Sequence, residues 1–253
     1  MSEKDYTVPA LQKGLKILEM FGSDCHRLTQ SEMADAFGVS ATSLYRIIQT
    51  LSSMGYLNKV GKNTYELGSQ VVSRGFSYLA SREVVEICAP YITRLRDRTS
   101  LSSHLAIREG TDVIYVFRAL ALQRLSVNVP VGTRFPCHTT AIGRALLIGM
   151  SPTELEELYK GQRLDGYPEP APQTLPDLIE LCAQERAQGW SIHFSDYSTA
   201  IAVPIRNYSG EVIAAINVSG SDPMMKREGV QERSIRALQD TANDIMKQLG
   251  SEG

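Results

Sequence analysis

Between Ser40 and Gln49 the chain reads Ser-Ala-Thr-Ser-Leu-Tyr-Arg-Ile-Ile-Gln. On a helix with Leu44, Ile47, Ile48, Leu51 and Met54 turned inward, this segment sends Thr42, Ser43, Tyr45, Arg46 and Gln49 to the opposite face. Arginine can pair with O6 and N7 of guanine, glutamine with N6 and N7 of adenine, and hydroxyls with bases or phosphates. Ser40 falls at the expected N-cap, where the unpaired amides of a first turn favour a phosphate. Lys59 and Lys62 follow and suit backbone phosphate, which fixes register without reading sequence.

A second set of residues suits a small acid. Cys137-His138-Thr139-Thr140 lies at an expected helix start, whose free amides and positive dipole end favour a carboxylate. Thr139, Ala141 and Gly143 are small, which reads as room for a ligand. Near Ser219, strand alternation puts Ala215, Asn217 and Ser219 on one face and Ile216 and Val218 on the other.

Catalytic and metal chemistry fit less well. Cys137 and His138 are adjacent, a spacing that seldom aims base at nucleophile, and no third group orients them. There is no Gly-x-Ser-x-Gly elbow and no phosphate-cradling glycine loop. Cys25-His26, His104, Cys137-His138 and His193 lack the short paired spacing of a zinc site. The expectation is therefore a protein that is not an enzyme, without metal or cofactor. Cys25, Cys88, Cys137 and Cys182 are widely separated and read as free thiols, mostly buried.

The elements that must position these residues follow from periodicity and caps. A helix is expected over 8–21, with Leu11, Leu15, Leu18 and Phe21 recurring at helical spacing. Thr29 and Glu32 form a capping-box pair opening a second helix, and Gly38-Val39-Ser40 separates it from the third. Residues 56–60 and 64–67 read as a hairpin. A connector helix (68–80) and a helix over 83–99 follow, the latter to be kinked or split by Pro90. Strands are expected at 101–108, 112–119, 125–129, 191–194, 199–206 and 211–219, and helices at 139–149, 152–159, 175–188 and 228–249. The domains are then 1–67, a linker at 68–82, and a larger α+β domain at 83–253.

Composition permits this and excludes some classes. The chain has 253 residues, 43% of them hydrophobic and 21% charged, enough for packed cores. No apolar run spans a bilayer and the N-terminus lacks a signal-peptide pattern, so a cytoplasmic protein without membrane contact is expected. The net charge of −2 argues against bulk electrostatic binding of nucleic acid. Locally, however, 39–65 holds three basic residues, Arg46, Lys59 and Lys62, and no acidic one.

Taken in order, several segments resemble the IclR-type family of bacterial transcriptional regulators. They are Val8–Leu18, Leu28–Ala34, Ser43–Leu51, Gly55-Tyr56-Leu57, Val131-Gly132, Pro136–Leu147, Ala200–Ile205, Gly210 and Ala215–Gly220. The resemblance implies a winged helix-turn-helix, a linker helix and a GAF-like or profilin-like effector-binding domain with a mostly antiparallel sheet. It also implies homodimers, often paired into tetramers, on partly palindromic double-stranded operators, with RNA polymerase as a partner where the regulator activates. By the same resemblance Ala200, Asn217 and Ser219 line an effector pocket. One stretch departs from the family: 189–200 is shorter and more aromatic than usual, and Ala200 stands where cysteine is frequent. Here His193, Asp196 or Tyr197 are candidates to replace the usual contacts. Trp190, Phe194 and Tyr197 read either as pocket lining for an aromatic acid or as core. A second domain that only oligomerises is the alternative to a ligand sensor.

Overall fold

The computed structural model describes residues 7–22, 25–80, 83–122 and 127–249, without side-chain detail at 76–80 and 83. The chain forms two compact units, 1–81 and 82–253.

In the first unit, α1 (Pro9–Glu19) starts with proline in its first turn. A short strand β1 (Leu28–Thr29) leads into α2 (Gln30–Ala36), and Gly38, with φ of 61°, turns the chain toward α3 (Ala41–Ser53). Strands β2 (Leu57–Lys59) and β3 (Thr64–Leu67) form the hairpin, and β1 joins it to give the antiparallel order β1-β3-β2. The core packs Ile17, Phe21, Met33, Leu44, Ile48, Leu57 and Tyr65 together. Helix α4 (Ser69–Ala80) ends the unit.

The stripe expected on α1 is only partly inward. Gly14 and Ile17 are the buried positions, whereas Leu11 and Leu15 are 62% and 53% exposed. Met54, expected inward after α3, is also exposed. These side chains line an apolar groove of about 380 Å³ between α1 and α3. The apolar arc of α1 is wider than this small unit can cover, so sequence periodicity marked apolarity rather than burial.

The second unit is built on an antiparallel sheet. Helix α5 (Glu83–Thr99) precedes β4 (Ser102–Glu109) and β5 (Asp112–Ala119). Then come β6 (Arg134–Pro136), a 3-10 turn at Cys137–Thr139, α6 (Ala141–Leu147), α7 (Pro152–Leu158) and α8 (Leu175–Gln188). Strands β7 (Ser191–Phe194), β8 (Ser198–Arg206) and β9 (Val212–Ser221) follow, with α9 (Asp222–Met225) and α10 (Val230–Gln248) last. The sheet order is β6-β5-β4-β9-β8-β7. Helices α5 and α10 pack on each other and on one face of the sheet; α6 covers the other, where Ala141, Ile142 and Ala145 meet Ala106, Ala202 and Ala215.

Several expectations change here. Pro90 does not split α5, because it removes one donor from a helix anchored by buried Cys88, Ile92 and Leu95. Residues 127–129 form no strand, and the beginning of the strand expected at 125–129 lies outside the described residues. The helix expected from 139 starts after Thr140, whose hydroxyl accepts from the Gly143 amide at 3.0 Å. All four cysteines are free thiols, three of them buried.

Candidate functional sites

The N-terminal candidate rests on how α2 and α3 are fixed. Thr29 and Glu32 form a reciprocal capping box, and the Gln30 side-chain amide donates to the Ala41 carbonyl at 2.7 Å, tying the two helices across the turn. Ser40 caps α3 by accepting from the Ser43 amide, and the two hydroxyls lie 2.8 Å apart. With Leu44 and Ile48 buried, Thr42, Ser43, Tyr45 and Arg46 are exposed. Gln49 is not fully outward: it is half-buried and its amide donates to the Tyr65 hydroxyl at 3.4 Å. A position five residues after Leu44 lies at the edge of the polar face, close enough to β3 to be drawn against it. Lys59, at the end of β2, and Lys62, in the hairpin turn, are exposed. Among the described residues Arg46, Lys59 and Lys62 make no ion pair, which leaves three cations open to a polyanion.

The second candidate is the α6-covered face of the large sheet. Asn217 is opposite His104 on β4 and Ala202 on β8; Ser219 is opposite Ser102 and Ala200; Ala200 in turn faces His193 on β7. Directly opposed residues share a face, so Asn217, Ser219, His104, Ala200 and His193 are brought together. The sequence had linked all but His104, which entered only as a distant metal-ligand candidate. His104 Nδ1 lies 2.9 Å from Asn217 Oδ1 with both side chains buried. On this face His104 Nε2, His193 Nδ1 and Ser219 Oγ are among the atoms buried without a hydrogen-bond partner. Burial pushes both imidazoles down to about 4, helped by the charge of Arg118 at His104 and of Arg144 at His193.

Around this face the other candidates divide. His138 is buried, with its ring edge-on to Tyr159 and Tyr167. Cys137 is fully buried, and its thiol is pushed up to about 12 by desolvation, which removes the thiolate a nucleophile needs. Thr139 donates to the Pro136 carbonyl at 2.8 Å, and Ala141 is in the core. Gly143 is small for a different reason from the one expected. A Cβ there would stand 2.4 Å from the Cys137 carbonyl oxygen, so the turn's own backbone fills the space read as room for a ligand. Asp196 is exposed on the turn between β7 and β8, and Phe194 and Tyr197 are 44% and 83% exposed, so neither aromatic is core. No three His, Cys, Asp or Glu among the described residues are placed to hold a metal ion.

The sequence reading missed Arg144 and Glu185. Both are 2% exposed, and Arg144 Nε lies 3.0 and 3.2 Å from the two Glu185 oxygens. The guanidinium also donates to the carbonyls of His138 and Ile192, at 3.3 and 2.5 Å. Burial raises the Glu185 carboxyl above its ordinary range and the Arg144 charge opposes that rise. An arginine amid apolar residues on α6 was the available signal, but its partner is 41 residues away.

Residues 10–61 match the IclR helix-turn-helix domain, and residues 76–247 match the bacterial transcriptional regulator IclR C-terminal domain. The chain belongs to the IclR family. IclR-family members are transcriptional regulators that bind DNA, so this chain is a regulator and not an enzyme. It is 32% identical over 247 residues to the Pca regulon regulatory protein of Pseudomonas putida, covering 95% of this chain and 84% of that one. A Rhodococcus sp. RHA1 structure assigned as a transcriptional regulator superposes with a TM-score of 0.84 at 28% identity, covering 96% and 99% of the two chains. An IclR homologue from Microbacterium hydrocarbonoxydans, solved in complex with 4-hydroxybenzoate, has the same fold, with a TM-score of 0.79, 23% identity and coverage of 95% and 98%. No described helix is long and apolar enough to cross a membrane.

Proposed function

We propose that this IclR-family chain is an effector-controlled regulator acting in the cytoplasm. Its α3 enters the major groove of a partly palindromic operator, with Arg46 the principal base reader and Thr42, Ser43 and Tyr45 beside it. Ser40, Lys59 and Lys62 hold phosphates. Gln49 reaches a base only by giving up its bond to Tyr65.

The effector is a small carboxylic acid, in the aromatic class, bound on the α6-covered face of the sheet. The observation that carries this is the set of buried, unpartnered atoms of His104, His193 and Ser219 on one face. Native interiors seldom leave such groups unmet, and a polar ligand would meet them. Asn217 and Ser219 offer polar contacts, while Ala200, Ala202 and Ala215 give an apolar floor. The 4-hydroxybenzoate complex of the Microbacterium homologue supports the aromatic class.

The exposed groove formed by Leu11, Leu15 and Met54 supports a homodimer or dimer of dimers, since such a stripe is stabilised by a second copy. Operator selection from a random DNA library, with and without candidate acids, tests the whole reading. A selected sequence whose binding responds to at least one acid is expected. Selection without any response to acids would reduce the second domain to an oligomerisation platform.

A further inference from the structure

We infer that His104, oriented by Asn217, selects effectors that carry a hydroxyl group in addition to their carboxylate. This rests on the effector site proposed above.

Asn217 Oδ1 can only accept a hydrogen bond, so at 2.9 Å it fixes the imidazole proton on Nδ1 of His104. Nε2 is then a bare acceptor. The ring stays neutral because it is fully buried and Arg118, its register partner on β5, disfavours a second positive charge. The uncharged Tyr115 packs edge-on to the ring at 5.5 Å. Among the described residues nothing donates to Nε2, and the atom is shut off from solvent.

Such an acceptor discriminates between ligand groups. A carboxylate has no proton to give and would set lone pairs against a lone pair. An ammonium could donate but would bring a cation toward Arg118. A neutral O–H donates and adds no charge. Arg118 makes no ion pair among the described residues, so the same region can also balance the acid's negative charge. The ligand class is therefore a hydroxy acid, with its hydroxyl directed to His104 Nε2 and its carboxylate elsewhere on the face.

The test is calorimetric titration of the full chain with matched acids, benzoate against its 2-, 3- and 4-hydroxy forms and butyrate against 3-hydroxybutyrate. A hydroxylated member is expected to bind at least about tenfold more tightly than its parent. In His104→Phe that preference should vanish, parent and hydroxylated acid then binding with equal affinity. Nitrogen-15 shifts of the wild-type imidazole check the tautomer without any variant, and should show a protonated Nδ1 and a bare Nε2. Equal binding within every pair, a preference that survives His104→Phe, or a proton on Nε2 would overturn the inference alone. Failure of every acid to bind would overturn the effector reading and this inference together.

Discussion

Arg144 and Glu185 form an ion pair in which each side chain is only 2% exposed, and Arg144 also donates to the backbone carbonyls of His138 and Ile192. One guanidinium thus ties α6 and α8 to the turn before α6 and to β7, the strand that carries His193. Removing one partner strands a buried charge. Glu185→Gln and Arg144→Met should each destabilise the second unit by about 3–5 kcal/mol, whereas the double change Arg144→Met with Glu185→Leu should recover much of that loss. Urea unfolding of the three variants checks this. Singles that lose less than about 1 kcal/mol would show the pair to be expendable.

Gly143 permits the close approach of α6 to the turn at Cys137. A methyl group at this position meets backbone at 2.4 and 2.6 Å, which a side-chain rotation cannot relieve. Gly143→Ala is therefore expected to lower stability by about 1–3 kcal/mol despite alanine's better helix propensity. Thermal unfolding measures it; a rise in melting temperature would mean that the turn can move aside.

Stability should also fall on mild acidification. Native His104 and His193 titrate near 4, below the ordinary imidazole value of 6.5, so between these values the unfolded chain binds protons that the folded chain refuses. Their contribution is complete above about pH 6.5 and is lost as the pH falls toward 4. For His104 the loss between pH 7 and 5 is about 2 kcal/mol. The raised carboxyl of Glu185 works in the opposite sense, since its protonated form is favoured by burial in the native state. A comparison with His104→Gln cancels that contribution. The wild type should lose about 2 kcal/mol more than the variant over this interval, as read from denaturant unfolding at each pH; parallel losses would place a charged His104 in the native state.

The sequence made the framework legible where local chemistry decided it. Thr29 with Glu32, and Ser40 as N-cap, marked the starts of α2 and α3, and the strands expected at 101–108 and 112–119 fall within a residue of β4 and β5. Short pieces were not legible. Strands β1 and β6 have two and three residues, too few for a period, and exist because β3 and β5 lie beside them. The site was legible by strand: alternation put Asn217 and Ser219 on one face. The partners that give them meaning come from pairing across distant segments. His104 meets Asn217 over 113 positions, and no local pattern encodes that register. Gly143 was misread because smallness in a sequence does not say whether a ligand or a backbone fills the space.

Lys62 is exposed in the turn between β2 and β3, and the proposed function gives it a backbone phosphate and no base. Lys62→Ala should weaken binding to every DNA sequence alike and reduce the salt slope by about one. Salt titrations of operator and scrambled DNA check this. A loss confined to the operator would make Lys62 a base reader instead.

In the proposed function α3 reads DNA through Arg46, an exposed arginine that makes no ion pair among the described residues and stands on a helix whose other face is core. The most direct measurement is the affinity of Arg46→Ala for the selected operator and for scrambled DNA at one salt concentration, with unfolding confirming an intact fold. Operator affinity should drop by about 10- to 100-fold for each guanine that the arginine reads, while affinity for scrambled DNA falls far less. Operator binding equal to the wild type's would contradict the account.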